Sequence, residues 1–417
     1  MHQSNQSNEG AKREGYWALM LTSLRYRNFR LVWLGSFTEH IGENMQMIAI
    51  LWLTNELTHS PLWLGIVGTA RFWPMLFMPF IGGVVADRVD RRYLLIATLL
   101  GASLLSMCLT ILTITGLIAV GHLIAISLLG GIVTSFNHPA RHAIVPNLIR
   151  KEHLMNAIAL DSMSVHASRI IAAPIGGYLI ALAGVWPVFA LRAIGCLLAI
   201  VWLLMARVPP TPPTAKKEKP WRSFTAGLGY MRANLIILAL VLLYLVPRGS
   251  AQAVTNFMPV FAENILSVGA IGYGYLQAAP GLGAILSLLG LTLLTYYKRK
   301  TLLFAASGII LGIGLIGFSA SPWVFLSLAL LVIVGGVQTA FNTLNSTVIQ
   351  GAIPDEVRGR VLSWREIMFG LGPTLTLLVG ALAENVGMQL SLGLVGGVCL
   401  LVSLILVFYL PRFRSIE

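Results

Sequence analysis

Apolar runs long enough to cross a bilayer recur from Leu31 to Leu410, and they constrain this chain more than any motif does. A hydrocarbon core about 30 Å thick takes about 20 apolar residues per helix. The runs are continuous and rich in Leu, Ile and Ala, without the alternation of a membrane barrel. Charged residues make up 11% of the chain, against about 25% in a soluble domain. The sequence therefore predicts an all-α polytopic membrane protein. Twelve transmembrane helices are expected at 31–54, 61–85, 94–115, 121–138, 157–183, 188–206, 235–262, 270–296, 301–319, 323–349, 361–384 and 388–410.

The placement of charge sets the topology. With those spans, 25 of the 29 Lys and Arg residues fall on the side that holds both termini, counting Arg365 at that end of its span. The other four, Arg71, Arg169, Arg192 and Arg248, fall inside spans. By the positive-inside rule both termini are expected in the cytoplasm of a multi-pass plasma (inner) membrane protein. The net charge of +13 thus reflects topology and the lipid bilayer as partner, and nucleic acid is not expected. Cys108, Cys196 and Cys399 lie far apart in three spans, so neither a metal nor a redox site is expected, and no cofactor. No GxxxxGK[ST], HExxH or GxSxG pattern occurs, which argues against an ATP-driven pump and against an enzyme.

Residues 1–30 read as a cytoplasmic segment with an interfacial helix from Tyr16 to Arg30. Residues 207–234, with PPTPPTAKKEKP at their heart, read as a linker between bundles at 31–206 and 235–410, and 411–417 is a tail. The halves look duplicated. Phe136-Asn137 matches Phe341-Asn342, Arg91-Arg92 matches Arg299-Lys300, and Pro174 matches Pro373, all at offsets near 200 residues. Two pseudo-symmetric six-helix bundles follow from that repeat.

Between spans 2 and 3 stands GVVADRVDRR, Gly83 to Arg92. Gly83, Asp87, Arg88, Arg91 and Arg92 resemble, position by position, the motif of the major facilitator superfamily at this place, with Asp90 where many members have Gly. LRYRNFRLVWLGSF (Leu24–Phe37), ARFWP (Ala70–Pro74) and NAIAL (Asn156–Leu160) are similar to the macrolide-efflux and enterobactin-exporter-like branch of drug:proton antiporters. Two features depart from the antiporter pattern. Span 4 lacks the Arg often found there, and in IIAAPIGG (Ile170–Gly177) Ala172 and Ala173 replace the Gly-Pro pair.

Polar stripes at helical spacing mark the candidate pathway. Span 1 carries Glu39, His40, Glu43 and Asn44; span 7 carries Arg248, Gln252 and Asn256; span 10 carries Gln338, Asn342 and Asn345; span 4 contributes Ser127, Thr134 and Asn137. The resemblance implies that spans 1, 4, 7 and 10 line a central cavity. Glu43 and Arg71 lie equally far from the outer turn near residue 57, so they are expected to face each other as an ion pair. Glu43, or Glu39 one turn away, is read either as a proton carrier or as part of a fixed pair that positions spans 1 and 2. His40 is either a proton relay or a plain hydrogen-bonding residue. Arg248 is expected to meet an acidic substrate or a span-1 carboxylate, and Arg169 to be a structural counter-ion. Asp161, Arg365 and Glu366 read as ion pairs near the termini side. The Gly83–Arg92 cluster reads as a conformational latch or as a topology signal alone.

With these residues, the resemblance implies a secondary transporter working by alternating access. The expected activity is proton-coupled export of amphipathic, drug- or macrolide-like small molecules by a monomer. Siderophore export, lysophospholipid flipping and a non-transporting membrane sensor remain alternatives.

Overall fold

The computed structural model describes residues 22–76, 78, 90–208, 220–294 and 300–413. The fold is all-α and polytopic. Ten helices among the described residues are long and apolar enough to cross a membrane. Two more spans complete the set of twelve. The first is α1 (Arg27–Thr58), long but interrupted by Glu39, His40, Glu43 and Asn44. The second begins with α2 (Pro61–Ala70) and resumes at Trp73. The first half continues with α3 (Arg91–Ile114), α4 (Val120–Ile144), α5 (Leu154–Ala183) and α6 (Trp186–Met205). The second half holds α7 (Pro220–Ala233), α8 (Leu235–Leu243), α9 (Leu245–Val260), α10 (Gly269–Leu293), α11 (Lys300–Ala320), α12 (Val324–Ala352), α13 (Asp355–Leu371), α14 (Leu375–Val386) and α15 (Met388–Phe413).

Proline breaks three spans, each time because it cannot donate to the carbonyl four residues back. Pro74 interrupts span 2 at Arg71-Phe72. Pro247 splits span 7 into α8 and α9 at Tyr244, and Pro373 splits span 11 through a 3₁₀ turn at Gly372–Thr374. The repeat is visible in the backbone as well. Gly184, between spans 5 and 6, and Gly387, between spans 11 and 12, stop their helices with φ of 77° and 86°. A side chain in that region of φ/ψ space would be strained.

Within the first half α1 packs on α5 and α6, and α3 on α4 and α6. Within the second, α11 packs on α12 and α15, and α10 on α12. The halves meet along two seams, α5 on α10 and α2 on α14. Small residues allow the first. A Cβ on Gly274 would stand 2.6 Å from the Ala173 carbonyl oxygen, so these backbones touch. The AAPIGG stretch of α5 is therefore packing surface for the other half.

Several local expectations are corrected. The chain enters α1 through a short 3₁₀ turn, Thr22–Arg25, tied down by Ser23 N–H donating to Asn156 Oδ1 at 3.2 Å and Trp33 Nε1 to the Leu160 carbonyl at 3.3 Å. The motifs LRYRNFRLVW and NAIAL are thus one contact. Of the segment read as linker, Pro220–Ala233 is helical and packs on α13, with Met231 buried, because its apolar residues follow a helical period despite the prolines before it. Helix α4 runs past Pro139 to Ile144, so Arg141 belongs to a span and not to a loop.

Candidate functional site

Helix α1 presents Glu39 and Glu43 one turn apart, and each has its own arginine. Glu43 pairs with Arg71 of span 2, the partner set by equal distance from the turn. Arg71 reaches it from the break that Pro74 makes, and its Nη2 also donates to Thr134 Oγ1 of α4 at 3.4 Å. Glu39 pairs with Arg141 of α4. Arg141 further donates to Asn137 Oδ1 at 2.7 Å and to His40 Nε2 at 2.9 Å. Asn137 in turn donates to Thr98 Oγ1 at 3.1 Å. The two carboxylates therefore do not compete for one proton, as their spacing alone suggests. Each charge is matched across helices, the condition under which low dielectric tolerates it.

His40 stands between the pairs. A guanidinium only donates, so Nε2 accepts from Arg141 and the proton of the neutral ring sits on Nδ1. That nitrogen faces Glu43 Oε2 at 3.8 Å. A row of ionisable groups thus runs from Arg141 and Glu39 through His40 to Glu43 and Arg71, with the His40–Glu43 step at 3.8 Å longer than a hydrogen bond.

Glu43, Met47, Arg71, Phe72, Thr134 and Arg192 line a small, partly open cleft. Its walls come from α1, span 2, α4 and α6. The expectation that spans 7 and 10 line the same chamber is corrected: their stripes do other work. On α9, Arg248 donates to Gln252 at 3.3 Å, Gln252 to Asn256 at 2.8 Å, and Asn256 to Thr376 Oγ1 of α14 at 3.3 Å. Thr376 Oγ1 lies 2.9 Å from Thr69 Oγ1 of α2, which closes a polar seam between halves. Arg248 does not meet a span-1 carboxylate. Its guanidinium lies over Phe369 at 4.2 Å and Phe72 at 5.7 Å, with Phe72 between it and the cleft.

On α12, Gln338 donates to Asn342 at 3.3 Å and Asn345 donates to the Leu240 carbonyl at 3.1 Å. Arg365 binds Asn345 Oδ1 and the Asn342 carbonyl, both at 3.3 Å, and lies over Tyr244. It also reaches Glu366 at 3.3 Å, while Asp161 lies 3.9 Å from His142. Among the described residues Arg169 pairs with no acid. It crosses the α5–α10 seam to the Gln277 carbonyl at 3.1 Å and Gln277 Oε1 at 3.2 Å. Of the expected latch, Gly83, Asp87 and Arg88 lie outside the described residues. Asp90 caps α3 by accepting from Arg92 N–H at 2.8 Å, and Arg92 Nη2 binds the Leu203 and Leu204 carbonyls at the end of α6, within the same half.

Two site residues lie outside the polar stripes. Arg141 falls beyond the expected end of span 4 at 138, although its i, i+4 spacing from Asn137 is a usable signal. Arg192 was visible as a lone charge in span 6 but lacked an obvious partner.

Two six-helix halves that meet at small-residue seams, with a cleft and buried ion pairs inside the first half, define a secondary transporter of small molecules, not an enzyme. Solved structures share this fold. A bacterial homologue of the human lysosomal transporter Spinster, inward-facing and unoccupied, matches with a TM-score of 0.72 at 17% identity, over 93% of this chain and 97% of that one. A POT family transporter in complex with 5-aminolevulinic acid matches with a TM-score of 0.74 at 15% identity, over 93% and 96%. The enterobactin exporters EntS of Shigella boydii serotype 18 (strain CDC 3083-94 / BS512) and Escherichia coli O139:H28 (strain E24377A / ETEC) are each 30% identical over 96% of both chains. Residues 18–417 match the model of the transmembrane secretion effector family. The chain belongs to that family, within the major facilitator superfamily and its EntS-like branch, and is a multi-pass inner membrane protein.

Proposed function

We propose that this protein exports amphipathic small molecules in exchange for protons, as a monomer with both termini in the cytoplasm. The observation that carries the reading is the His40-bridged double ion pair on α1, with Glu43 open to the cleft. When Glu43 takes a proton, Arg71 loses its partner, so the charge of the cleft changes with each proton bound. Met47, Ile50, Leu51 and Phe72 supply an adaptable apolar wall for the cargo. One charge moving through 100 mV supplies about 2.3 kcal/mol, enough for a roughly fiftyfold gradient. Proteoliposome flux with and without a pH gradient tests this. Glu43→Gln is expected to abolish the stimulation by the gradient, and unchanged gradient-driven flux in that variant refutes the reading.

Siderophore export is a second reading, favoured by the relatives named enterobactin exporters. A panel of drugs, siderophores and lysolipids in the same vesicles separates the two.

A further inference from the structure

Arg192 of α6 takes no part in the proton path, yet it stands in the same cleft wall as Glu43 and Arg71. The residue is only 8% exposed, and its Nε and Nη1 atoms have no hydrogen-bond partner among the described residues. A guanidinium does not lose its proton in a protein, so this is a buried charge with no carboxylate in ion-pair contact among the described residues. The nearby carboxylates are taken, Glu39 by Arg141 and Glu43 by Arg71. The stem is fixed as well. A Cβ on Gly42 of α1 would meet Arg192 Cγ at 3.2 Å and Cα at 3.3 Å, so α1 and α6 touch at this level. The side chain borders the cleft beside the apolar Met47, Ile50 and Phe72, with Nε and Nη1 buried in its wall.

We propose that Arg192 is an anion-docking residue: its planar fork receives the acid group of an amphipathic cargo, or a small inorganic anion presenting the same charge. The flat guanidinium pairs with a carboxylate through two parallel hydrogen bonds, which a neutral group of equal shape cannot match. The apolar wall takes the remainder of the molecule. The inference rests on the exporter reading for the nature of the cargo, but it does not use the proton on Glu43.

Benzoate and its neutral isostere benzamide are the probes, and binding to the purified protein in detergent, followed by ligand-induced thermal stabilisation in low-chloride buffer, is the readout. Benzoate is expected to stabilise the wild type and Arg192→Lys more than benzamide does, with about a tenfold or greater loss of benzoate affinity in Arg192→Gln. Glu43→Gln is expected to keep the preference, so a failure of proton coupling leaves this result standing. If chloride at millimolar concentration displaces benzoate in the wild type and itself stabilises the wild type but not Arg192→Gln, the docked anion is inorganic. Equal stabilisation of the wild type by benzoate and benzamide overturns the proposal whether or not Arg192→Gln folds. Equal benzoate affinity in the wild type and a folded Arg192→Gln overturns it too.

Discussion

Replacing Arg141 by Met gives the sharpest test of how this protein holds charge in the membrane. The substitution keeps most of the volume and removes the cation. Glu39, whose side chain is 11% exposed, is left without its partner, and His40 and Asn137 each lose a hydrogen bond. Breaking a buried pair by removing one member costs about 3–5 kcal/mol, chiefly because the other charge stays buried. The two lost hydrogen bonds add about 1 kcal/mol each. Changing Glu39 to Gln in the same protein removes the stranded charge, so the double variant Glu39→Gln/Arg141→Met is expected to recover about 2–3 kcal/mol over Arg141→Met alone. Equilibrium unfolding in mixed detergent, followed by loss of helical circular dichroism across the four members of the cycle, measures the recovery. A double variant no more stable than Arg141→Met would refute the claim that charge balance is what Arg141 supplies.

Other outcomes follow from the seams. Ser60 Oγ and Glu384 form a hydrogen bond across the α2–α14 seam, so a Ser60→Cys/Glu384→Cys pair is expected to be joined by a short, reducible bifunctional thiol cross-linker. Flux in vesicles should stop on cross-linking and return on reduction, and unchanged flux in the cross-linked protein would refute movement at this seam. Gly274→Val should hold α5 and α10 apart, because even one added carbon meets the Ala173 carbonyl oxygen at 2.6 Å; a loss of about 1–3 kcal/mol in the same unfolding assay is expected. Thr376→Val removes the group that links Asn256 to Thr69, and spin-label distances between α2 and α14 should broaden toward a separated state.

Much of the fold was legible because bilayer thickness and the positive-inside rule act on every span alike. The Glu43–Arg71 pair was legible too, since two antiparallel helices joined by a short turn bring equal distances to equal depth. Arg141 was not, because Pro139 reads as a helix end while α4 continues through it. Nor was the division of labour between stripes. Residues four apart share a face, but whether that face meets a cleft or another half depends on how the bundles dock. Gly68 of α2 illustrates the point, since the Asn256 side chain occupies the space a Cβ there would need. The helical packing of Pro220–Ala233 was masked by the proline- and lysine-rich composition just before it.

The way charges are distributed has a consequence for motion. Glu39 and Glu43 are neutralised by helices of their own half, through Arg141 and Arg71. Across the halves, mid-depth contacts among the described residues are hydroxyl, amide and small-residue contacts, with Arg248 over Phe72, and Arg169 donates to the neutral Gln277 and Thr255. A half that tilts against its neighbour carries its carboxylates and their counter-ions along together. The turnover of the two faces then breaks neutral hydrogen bonds of roughly 0.5–1.5 kcal/mol each at mid-depth, and the Asn55–Glu263 and Ser60–Glu384 bonds near the Thr58–Pro61 turn, while Glu39 and Glu43 keep their arginines.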